Sequence, residues 1–417
     1  MIDYPSKLDI IFDKLLNNSI KPIIIGGFVR DFLLKKESKD IDIELYGIKS
    51  FSKLENILKE FGSVNSFGKS FGVCKLKFDD LDLDFSFPRK DSKISKGHKG
   101  FEIELDSSLD FKTATSRRDF TINAIAFDIK NKKILDPFKG IDDLQNKILR
   151  AINIDKFTDD PLRILRAVQF SSRFNLSIDD KLLNICKKMV ANNLLNELPK
   201  ERIFLEIQKL LLKSSSPSSG IELLKKLGAF NFFVEFKDLG INDYNTTLKS
   251  IDKMSFLLTS NEARNTILML SVLCHKLTIK NCENLLLKLT TNRGLINKVL
   301  KIIEYQNSLN FINFTDYDIY LLATKINLEE FIYFSKAITT SQIILNNILR
   351  LKTRANELGV LNTKAKALLQ GKDILNLGIK PSKDFSNILE KAYLAQISGD
   401  FTTKEQALVW LKKFLFT

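Results

Sequence analysis

The sequence predicts an α+β protein in which a mixed sheet-and-helix head is followed by an all-α remainder. Before about residue 150, apolar stretches have the length and the partial alternation of β-strands, and they lie at 21–25, 40–47, 71–78, 81–87 and 124–130. After about residue 155, apolar residues recur every three or four positions to the end of the chain. That spacing is typical of amphipathic helices.

The length indicates several domains. A chain of 417 residues is too long for one ordinary hydrophobic core, so two to four domains are expected. The run KSSSPSSG at 213–220 is predicted to be a hinge or loop between domains. We predict a head, a helical neck, a helical body and a helical tail, at 1–145, 146–215, 216–330 and 331–417.

Charge and composition narrow the function classes. Lys and Arg number 64 against 50 Asp and Glu, which gives a formal net charge of +14 and favours a polyanionic partner. The four cysteines are far apart with no C-x-x-C spacing, so a disulfide framework or zinc ribbon is not expected. Only two histidines are present, which excludes a histidine-rich metal centre. With neither a signal-peptide pattern nor a membrane-length apolar run, we expect a cytoplasmic protein with no membrane partner.

Two acidic residues lie in the stretch IIIGGFVRDFLLKKESKDIDIEL, at 23–45. If DIDIEL is a strand, Asp40 and Asp42 share one face with Glu44, and the intervening isoleucines face the core. Neighbouring carboxylates are stable at neutral pH when a divalent cation neutralises them, and magnesium prefers carboxylate oxygens together with phosphate oxygens. The pattern therefore predicts Asp40 and Asp42 as ligands of Mg²⁺.

A glycine pair precedes these carboxylates. Gly26 and Gly27 end one predicted strand and open a helix at 28–34, so bare backbone N–H groups can approach a phosphate. Arg30, about one turn into the helix, adds positive charge. The alternative is a tight turn followed by solvated aspartates, but the combination of the two features favours a nucleotide-phosphate and magnesium site.

A third carboxylate would orient or activate an attacking hydroxyl group in phosphoryl transfer. In the stretch LDLDFSFPRK, Asp82 and Asp84 also fall on one strand face. We predict Asp84 as the third catalytic carboxylate and Asp82 as a solvated surface charge.

Several motifs together resemble the class II (bacterial-type) tRNA nucleotidyltransferase and poly(A) polymerase family, within the superfamily that includes DNA polymerase β. GGFVRD and DIDIE are similar to the first motif and RRDFTINAIAFD (117–128) to the second. The later motifs and a tail segment follow in the family's order over nearly the whole chain, at 136–150, 159–174, 198–207 and 371–389. The resemblance implies a nucleotidyltransferase head followed by an all-α neck, body and tail.

The fourth motif, by resemblance, reads the incoming base through Asp160 and Arg163, which are neighbours on one helix face. Cytosine and adenine both present an amino donor beside a ring acceptor, which suits an acidic acceptor beside an arginine donor. Uracil and guanine reverse this pattern and would leave buried groups unpaired. The alternative is that Asp-Asp-Pro simply starts a helix; we predict that Asp159 caps the helix and Asp160 reads the base.

The other motifs carry further implied roles. The second motif, by resemblance, contacts the sugar and phosphates of the nucleotide through Arg118, Asp119 and Asn123. Arg166 is predicted to face the same pocket, with an ion pair to an acid of the head as the alternative. Glu201, Arg202 and Glu206 of the fifth motif are expected to brace the neck.

The segment at 88–104 is predicted to be a mobile basic loop. Related enzymes use a flexible loop here when the pocket changes from accepting C to accepting A. The alternative is a solvated surface loop, and His98 within it receives no role.

The resemblance implies a Mg²⁺-dependent enzyme that adds CCA to the tRNA 3′ end from CTP and ATP without a template, releasing pyrophosphate. The basic helical regions would bind the acceptor arm of tRNA. The alternatives are an A-adding-only enzyme and a poly(A) polymerase, although GKSFGVCKLKF (68–78) is more like the tRNA enzymes. Another alternative is an RNA-binding protein that has lost catalysis. Such a protein is expected to lack one or more of the motif residues, but the sequence retains Asp40, Asp42, Arg118 and Arg163.

Overall fold

The computed structural model describes residues 2–48, 50–65, 73–93, 101–106, 108–310, 314–382 and 384–416. The chain folds into two compact units, Met1–Val234 and Glu235–Thr417. The predicted α+β class is confirmed, because the strands lie in the first unit and the second unit is helical.

Strands β1 to β11 of the first unit are Lys21–Ile25, Asp40–Tyr46, Ser63–Asn65, Val73–Phe78, Leu81–Ser86, Arg89–Lys93, Phe101–Leu105, Ala126–Asp128, Lys133–Leu135, Ile148–Leu149 and Ser177–Ile178. Its α-helices, α1 to α10, are Asp9–Asn17, Gly27–Leu33, Phe51–Leu58, Phe111–Thr115, Gly140–Gln145, Ile154–Phe157, Leu162–Phe174, Asp180–Ala191, Lys200–Lys213 and Pro217–Lys226.

In the second unit, α11 to α20 are Ile241–Ser255, Glu262–Cys274, Ile279–Leu289, Arg293–Glu304, Asp316–Lys325, Leu328–Ile338, Gln342–Glu357, Gly371–Leu375, Asp384–Ser398 and Lys404–Phe416. Short 3₁₀ turns lie at Ser6–Leu8, Thr121–Asn123, Leu194–Glu197, Ala229–Asn231, Val234–Phe236 and Ser308–Asn310.

One seven-stranded sheet organises the first unit, in the order β3-β4-β5-β2-β1-β8-β9. Strand β2 lies at its centre, antiparallel to β1 and parallel to β5. As predicted from the alternation, Ile41 and Ile43 are buried, whereas Asp40 and Asp42 are on the exposed face. Glu44 departs from this pattern, because it is fully buried on the polar face of the strand.

The predicted loop at 88–104 is wrong in part. Strands β6 and β7 pair as an antiparallel ladder from Arg89 opposite Leu105 to Lys93 opposite Phe101. Residues 94–100, which include His98, lie outside the described residues. Strand β6 (RKDSK) has no apolar residue to mark it. Strand β7 (FEIEL) does alternate apolar and acidic residues, and this signal was not used in the sequence analysis.

Helices α7 and α9 pack together, and both carry buried apolar residues, among them Ile164, Ile203 and Ile207. Helix α10 then approaches α9 so closely that a Cβ atom at Gly220 would lie 2.3 Å from Leu210 Cδ1. Any larger residue at this crossing would therefore force the Leu210 side chain to shift.

The Ser-rich stretch at 213–220 is not a joint between the two units. The Oγ atom of Ser214 is buried and lies 2.8 Å from Ser172 Oγ on α7, and Pro217 begins α10. The border of the two units lies instead between Val234 and Glu235. Of the predicted hinge or loop, residues 214–216 do form a short loop, which joins α9 to α10. The four-region division stays a prediction.

The second unit buries most of α12, from Asn265 to Cys274. Its buried Glu235 carboxylate is neutralised by Lys288 at 2.7 Å. Toward its end, a separate apolar cluster forms around Ile374, Phe401 and Leu411. Over the described parts of both units, no helix has the length and apolar composition that a bilayer crossing requires.

Candidate active site

A cleft of about 1390 Å³ in the first unit brings the predicted site residues together. Strands β2, β4 and β5 form one wall, and α7 with the start of α2 forms another. All the predicted site residues except Gly26 line this cleft, namely Gly27, Arg30, Asp40, Asp42, Asp84, Arg118, Asp119, Asn123, Asp160, Arg163 and Arg166.

The carboxylates form a two-by-two array on the sheet. Parallel pairing of β2 with β5 sets Asp40 beside Asp82 and Asp42 beside Asp84. Register partners in a sheet project to the same face, and all four side chains line the cleft. Asp82, predicted as a solvated charge, therefore lies in the same array as the three candidate catalytic carboxylates.

The environment of Asp42 shifts the pKa of its carboxyl group. Partial desolvation at the floor of the cleft raises its pKa above the ordinary value; the positive charge of Arg118 opposes this, and the negative charges of Asp84 and Asp40 add to it. A cation bound beside Asp42 would relieve this repulsion.

Strand β4 supplies lysines that the sequence analysis did not single out. Antiparallel pairing sets Lys75 opposite Asp84 and Lys77 opposite Asp82. The Nζ atom of Lys75 lies 2.8 Å from Asp84 Oδ2, and this contact raises the pKa of the Lys75 ammonium group. Alternation along VCKLKF is the signal that could have placed both lysines on one face.

The residues present fit a magnesium ion held mainly by substrate oxygens. Mg²⁺ is commonly bound through one or two carboxylates plus phosphates, which Asp40 and Asp42 can supply. Among the described residues, no group of three or more His, Cys, Asp or Glu side chains is arranged to hold a metal ion. The protein part of such a site would therefore be small.

The glycine turn has a steric reason. Gly26 has a φ angle of +78°, and its N–H donates to the Ile125 carbonyl at 3.0 Å. A Cβ atom here would lie 2.9 Å from Arg118 Nη1. Glycine thus permits both the left-handed backbone and the close approach of Arg118.

Arg30 is held from several sides by protein groups. Its guanidinium donates to Asp31 at 2.9 and 2.7 Å and to Asn123 Oδ1 at 2.6 Å. It also lies over the rings of Phe170 and Phe174, at 5.2 and 4.5 Å from their centroids. Since the side chain is only 4% exposed, it positions Asn123 as well as lining the cleft.

The hydrogen-bonded chain continues from Asn123 into α7. The Nδ2 atom of Asn123 donates to Asp119 Oδ1 at 2.9 Å, and Arg166 Nε donates to Asp119 Oδ2 at 2.7 Å. Burial alone would raise the pKa of Asp119, but the charge of Arg166 and the Asn123 hydrogen bond outweigh burial and lower it. Arg166 therefore lines the cleft and also forms the ion pair with the head that was its alternative role.

Asp160 and Arg163 lie at the start of α7. Asp160 Oδ1 accepts from the Leu162 N–H at 3.1 Å and Oδ2 accepts from Arg202 at 3.1 Å. The predicted cap by Asp159 is wrong, because the N-cap position of α7 is Pro161 with no side-chain hydrogen bond, and it is Asp160 that accepts from the Leu162 N–H. Arg202 of the fifth motif braces Asp160, as the predicted bracing role requires.

Arg163 is oriented by backbone carbonyls. It donates through Nη1 to the Lys156 carbonyl at 2.8 Å and through Nη2 to the Arg117 carbonyl at 2.9 Å. A guanidinium has five N–H donors, so three donors remain for a ligand.

The sequence analysis did not identify several other basic residues of the cleft. For Arg173 on α7, helical spacing was the signal that could have identified it. Arg173 follows Arg166 by two turns and therefore lies on the same face. The missed basic residues are Lys39, Lys75, Lys77, Arg89, Arg117, Arg173, Lys209 and Lys213.

A sheet with paired carboxylates that faces an arginine-bearing helix across one cleft is the architecture of a nucleotidyltransferase. Comparison with known families agrees. The Poly A polymerase head domain matches residues 23–150, and the probable RNA- and SrmB-binding site of polymerase A matches residues 175–238.

Among curated proteins, the chain is 25% identical to a CCA-adding enzyme of Staphylococcus epidermidis, over 96% of both chains. It is 34% identical to a Multifunctional CCA protein of Pseudoalteromonas atlantica, over 49% of each. Over nearly its whole length the chain is therefore similar to proteins named CCA-adding enzymes, and its N-terminal part matches the Poly A polymerase head domain.

Solved structures share the fold. The Bacillus stearothermophilus CCA-adding enzyme in complex with CTP superposes with a TM-score of 0.74 at 19% identity, covering 99% of this chain and 98% of that one. The Thermotoga maritima CCA-adding enzyme complexed with tRNA gives 0.64 at 21% identity, covering 99% and 97%.

Proposed function

We propose that the protein adds CCA to the 3′ end of tRNA from CTP and ATP, without a nucleic-acid template and with release of pyrophosphate. One observation carries the proposal: the carboxylates Asp40, Asp42 and Asp84 and the base-reading candidates Asp160 and Arg163 line a single cleft. The full-length similarity to proteins named CCA-adding enzymes supports this activity.

The selection of CTP and ATP rests on Asp160 and Arg163. The carboxylate accepts from the exocyclic amino group that cytosine and adenine share, and the guanidinium donates to the adjacent ring nitrogen. Contacts from Arg202 and from two backbone carbonyls hold the pair in place. Uracil and guanine would set donor against donor and acceptor against acceptor, which is a strong rejection in a desolvated site.

The triphosphate lies, in this proposal, between the glycine turn and the carboxylates. Gly27 and Arg118 face it, and Arg118 Nε is a buried donor that has no hydrogen-bond partner among the described residues. The buried Arg30 guanidinium adds positive charge to this part of the cleft. In this proposal, Asp119 and Asn123 contact a ribose hydroxyl.

Chemistry takes place at Asp42 and Asp84. Mg²⁺ bound by Asp40 and Asp42 would supply Lewis-acid stabilisation of the phosphate oxygens. The oxygen of the RNA 3′-hydroxyl forms a bond to the α-phosphorus, its proton passes to Asp84, and the α–β bridging P–O bond breaks. Pyrophosphate leaves with the electron pair of that bond.

The decisive experiment offers the purified protein three tRNAs, which end before CCA, after C and after CC, with labelled CTP or ATP. CMP addition to the first two and AMP addition to the third support the proposal. Addition of AMP to the third tRNA alone would indicate an A-adding enzyme, and AMP added repeatedly to unrelated RNA would indicate a poly(A) polymerase. Binding with no incorporation would indicate an inactive RNA-binding protein.

A further inference from the structure

Glu44 is an acidic residue of strand β2, two positions after Asp42. The two-residue repeat of a strand places both side chains on one face of the sheet. Asp42 lines the cleft, whereas Glu44 is fully buried. Because a buried carboxylate is costly unless protein groups pair with it, the partners of Glu44 indicate its role.

Helix α4 covers this part of the sheet face. Phe111 of α4 and Tyr46 pack against an apolar cluster that includes Ile23, and Ile23 is the register partner of Glu44 on β1. The polar face of β2 is therefore open at Asp42 and covered two residues later.

Both carboxylate oxygens of Glu44 have protein partners. The Tyr46 hydroxyl donates to Oε1 at 2.7 Å, and Arg117 Nη2 donates to Oε2 at 3.3 Å. Burial, together with the negative charge of Glu44, raises the pKa of the Tyr46 hydroxyl, so this group stays protonated and remains a donor. The carboxylate is thus fixed between a phenol and a guanidinium.

Arg117 connects this carboxylate to the base-reading candidate. Its side chain donates to Glu44, and its backbone carbonyl accepts from Arg163 Nη2 at 2.9 Å. Arg117 lies in the turn that follows α4, outside any helix or strand, so a regular hydrogen-bond ladder does not set the direction of its carbonyl. The side-chain contact with Glu44 supplies an anchor instead.

We propose that Glu44 is a positioning residue for base selection, an inference that rests on the proposed function. Glu44 holds Arg117, and the Arg117 carbonyl orients the Arg163 guanidinium against the incoming base. The other anchor of Arg163 is the Lys156 carbonyl at 2.8 Å.

A guanidinium that keeps only one of its two anchors can turn. It can then donate to a carbonyl of uracil instead of meeting the uracil N–H. Loss of the Glu44 carboxylate should therefore lower discrimination against UTP more than it lowers turnover with CTP.

The test compares CTP with UTP on a tRNA that ends before CCA. Glu44→Gln keeps the size of the side chain and removes the charge that holds Arg117. We expect the ratio of kcat/KM for CTP to that for UTP to fall about fivefold. In a protein that already carries Arg163→Ala, Glu44→Gln should lower the ratio no further, because the residue through which it acts is gone.

Asp128→Asn is the matched control. Asp128 is a fully buried acid of strand β8 in the same row of the sheet as Glu44, and its carboxylate pairs with Lys21 at 2.9 Å. Asp128→Asn therefore removes a buried, paired charge from the same sheet, and it should leave the CTP to UTP ratio unchanged. Thermal unfolding of each variant separates lost stability from lost selection.

Tyr46→Phe is a second, milder variant that removes only the hydroxyl donor to Glu44. It should lower the ratio about threefold, as for loss of one hydrogen bond. If Glu44→Gln does not fold, Tyr46→Phe decides the matter in its place.

Three results overturn the inference. They are an unchanged ratio in the folded variant, a further fall when Glu44→Gln is added to Arg163→Ala, and an equal fall in Asp128→Asn. Absence of CMP incorporation by the unaltered protein contradicts the proposed function instead, so the two failures are distinguishable.

Discussion

Asp42 is subject to opposing electrostatic effects from its neighbours. It has Asp40 two positions away on its own strand and Asp84 beside it on the next strand, and Arg118 opposes their combined negative charge. A carboxylate in this position is costly to keep ionised without a cation, which is the physical reason for assigning it a metal.

Asp42→Ala should abolish nucleotide incorporation, by about a thousandfold or more, because it removes a metal ligand at the reacting phosphate. tRNA binding should be nearly unchanged, since most of the contacts to tRNA are expected from the basic helical regions. Incorporation assays and filter binding measure the two properties. Asp80→Ala, in the exposed turn between β4 and β5, is the control, and retained turnover in Asp42→Ala would refute the metal assignment.

The raised pKa of Asp42 predicts the pH dependence of metal binding. Because the proton and Mg²⁺ compete for the carboxylate, Mg²⁺ affinity should fall as pH drops, starting at a higher pH than for an ordinary aspartate. The free energy of unfolding responds to pH in the opposite direction. Because the pKa of this carboxyl group is higher in the folded state, its protonation stabilises the fold as the pH drops.

Calorimetric titration with Mg²⁺ across about pH 4 to pH 8 measures this fall in affinity. Asp84→Asn removes a neighbouring negative charge and should move the fall to lower pH. If Asp84→Asn leaves the pH of the fall unchanged, these two carboxylates do not interact.

Arg163→Ala should relax base selection, because the donor that meets the ring nitrogen of cytosine or adenine is lost. We expect the ratio of kcat/KM for CTP to that for UTP to fall at least about tenfold. Lys156→Ala keeps the carbonyl that Arg163 contacts while removing only an exposed side chain, so it should keep the ratio. Unaltered discrimination against UTP in Arg163→Ala would exclude the reading role.

Residue-scale prediction succeeds where a local period decides the position of a side chain. Asp40 and Asp42 follow from the two-residue repeat of one strand, and Arg163 and Arg166 from the helical repeat. The burial of Arg30 does not follow, because its Phe170 and Phe174 contacts come from a helix far along the chain. Nor does local sequence show that Asp84 lies beside Asp42, since strand pairing is a tertiary choice.

At the scale of elements, the crossing of α9 and α10 depends on one absent side chain. Gly220→Ala would place Cβ 2.3 Å from Leu210, and such overpacking costs about 1–3 kcal/mol of unfolding free energy. Urea denaturation measures the loss. Gly240→Ala, at a helix start where a Cβ meets nothing within 4 Å, is the matched control.

Truncation of the opposing side chain should restore part of the loss. Combining Gly220→Ala with Leu210→Val reduces the collision, so the double variant should be more stable than the sum of the single effects. Strict additivity of the two changes would show that the crossing does not set the stability of this helix pair.

Element-scale prediction failed where a polar sequence takes regular structure. Strand β6 (RKDSK) has no apolar residue to mark it, and Ser214 of the Ser-rich stretch is buried and bonds to Ser172 on α7. The predicted Asp159 cap of α7 also failed, because both aspartates precede Pro161 and only the final chain path decides which carboxylate reaches the Leu162 N–H.

At the scale of the whole molecule, the formal charge of +14 predicts a strong salt dependence of tRNA binding. Each phosphate that a Lys or Arg neutralises releases condensed counterions, so the logarithm of affinity falls linearly with the logarithm of salt concentration. Between about 50 and 200 mM salt, affinity for tRNA should fall at least tenfold, whereas the KM for CTP, which has far fewer phosphates, should change less. Filter binding against a salt series measures the slope, with a neutral peptide nucleic acid of the acceptor-arm sequence as the control. A flat dependence for tRNA would mean that the excess positive charge has no part in binding, and that recognition rests on uncharged contacts within the cleft.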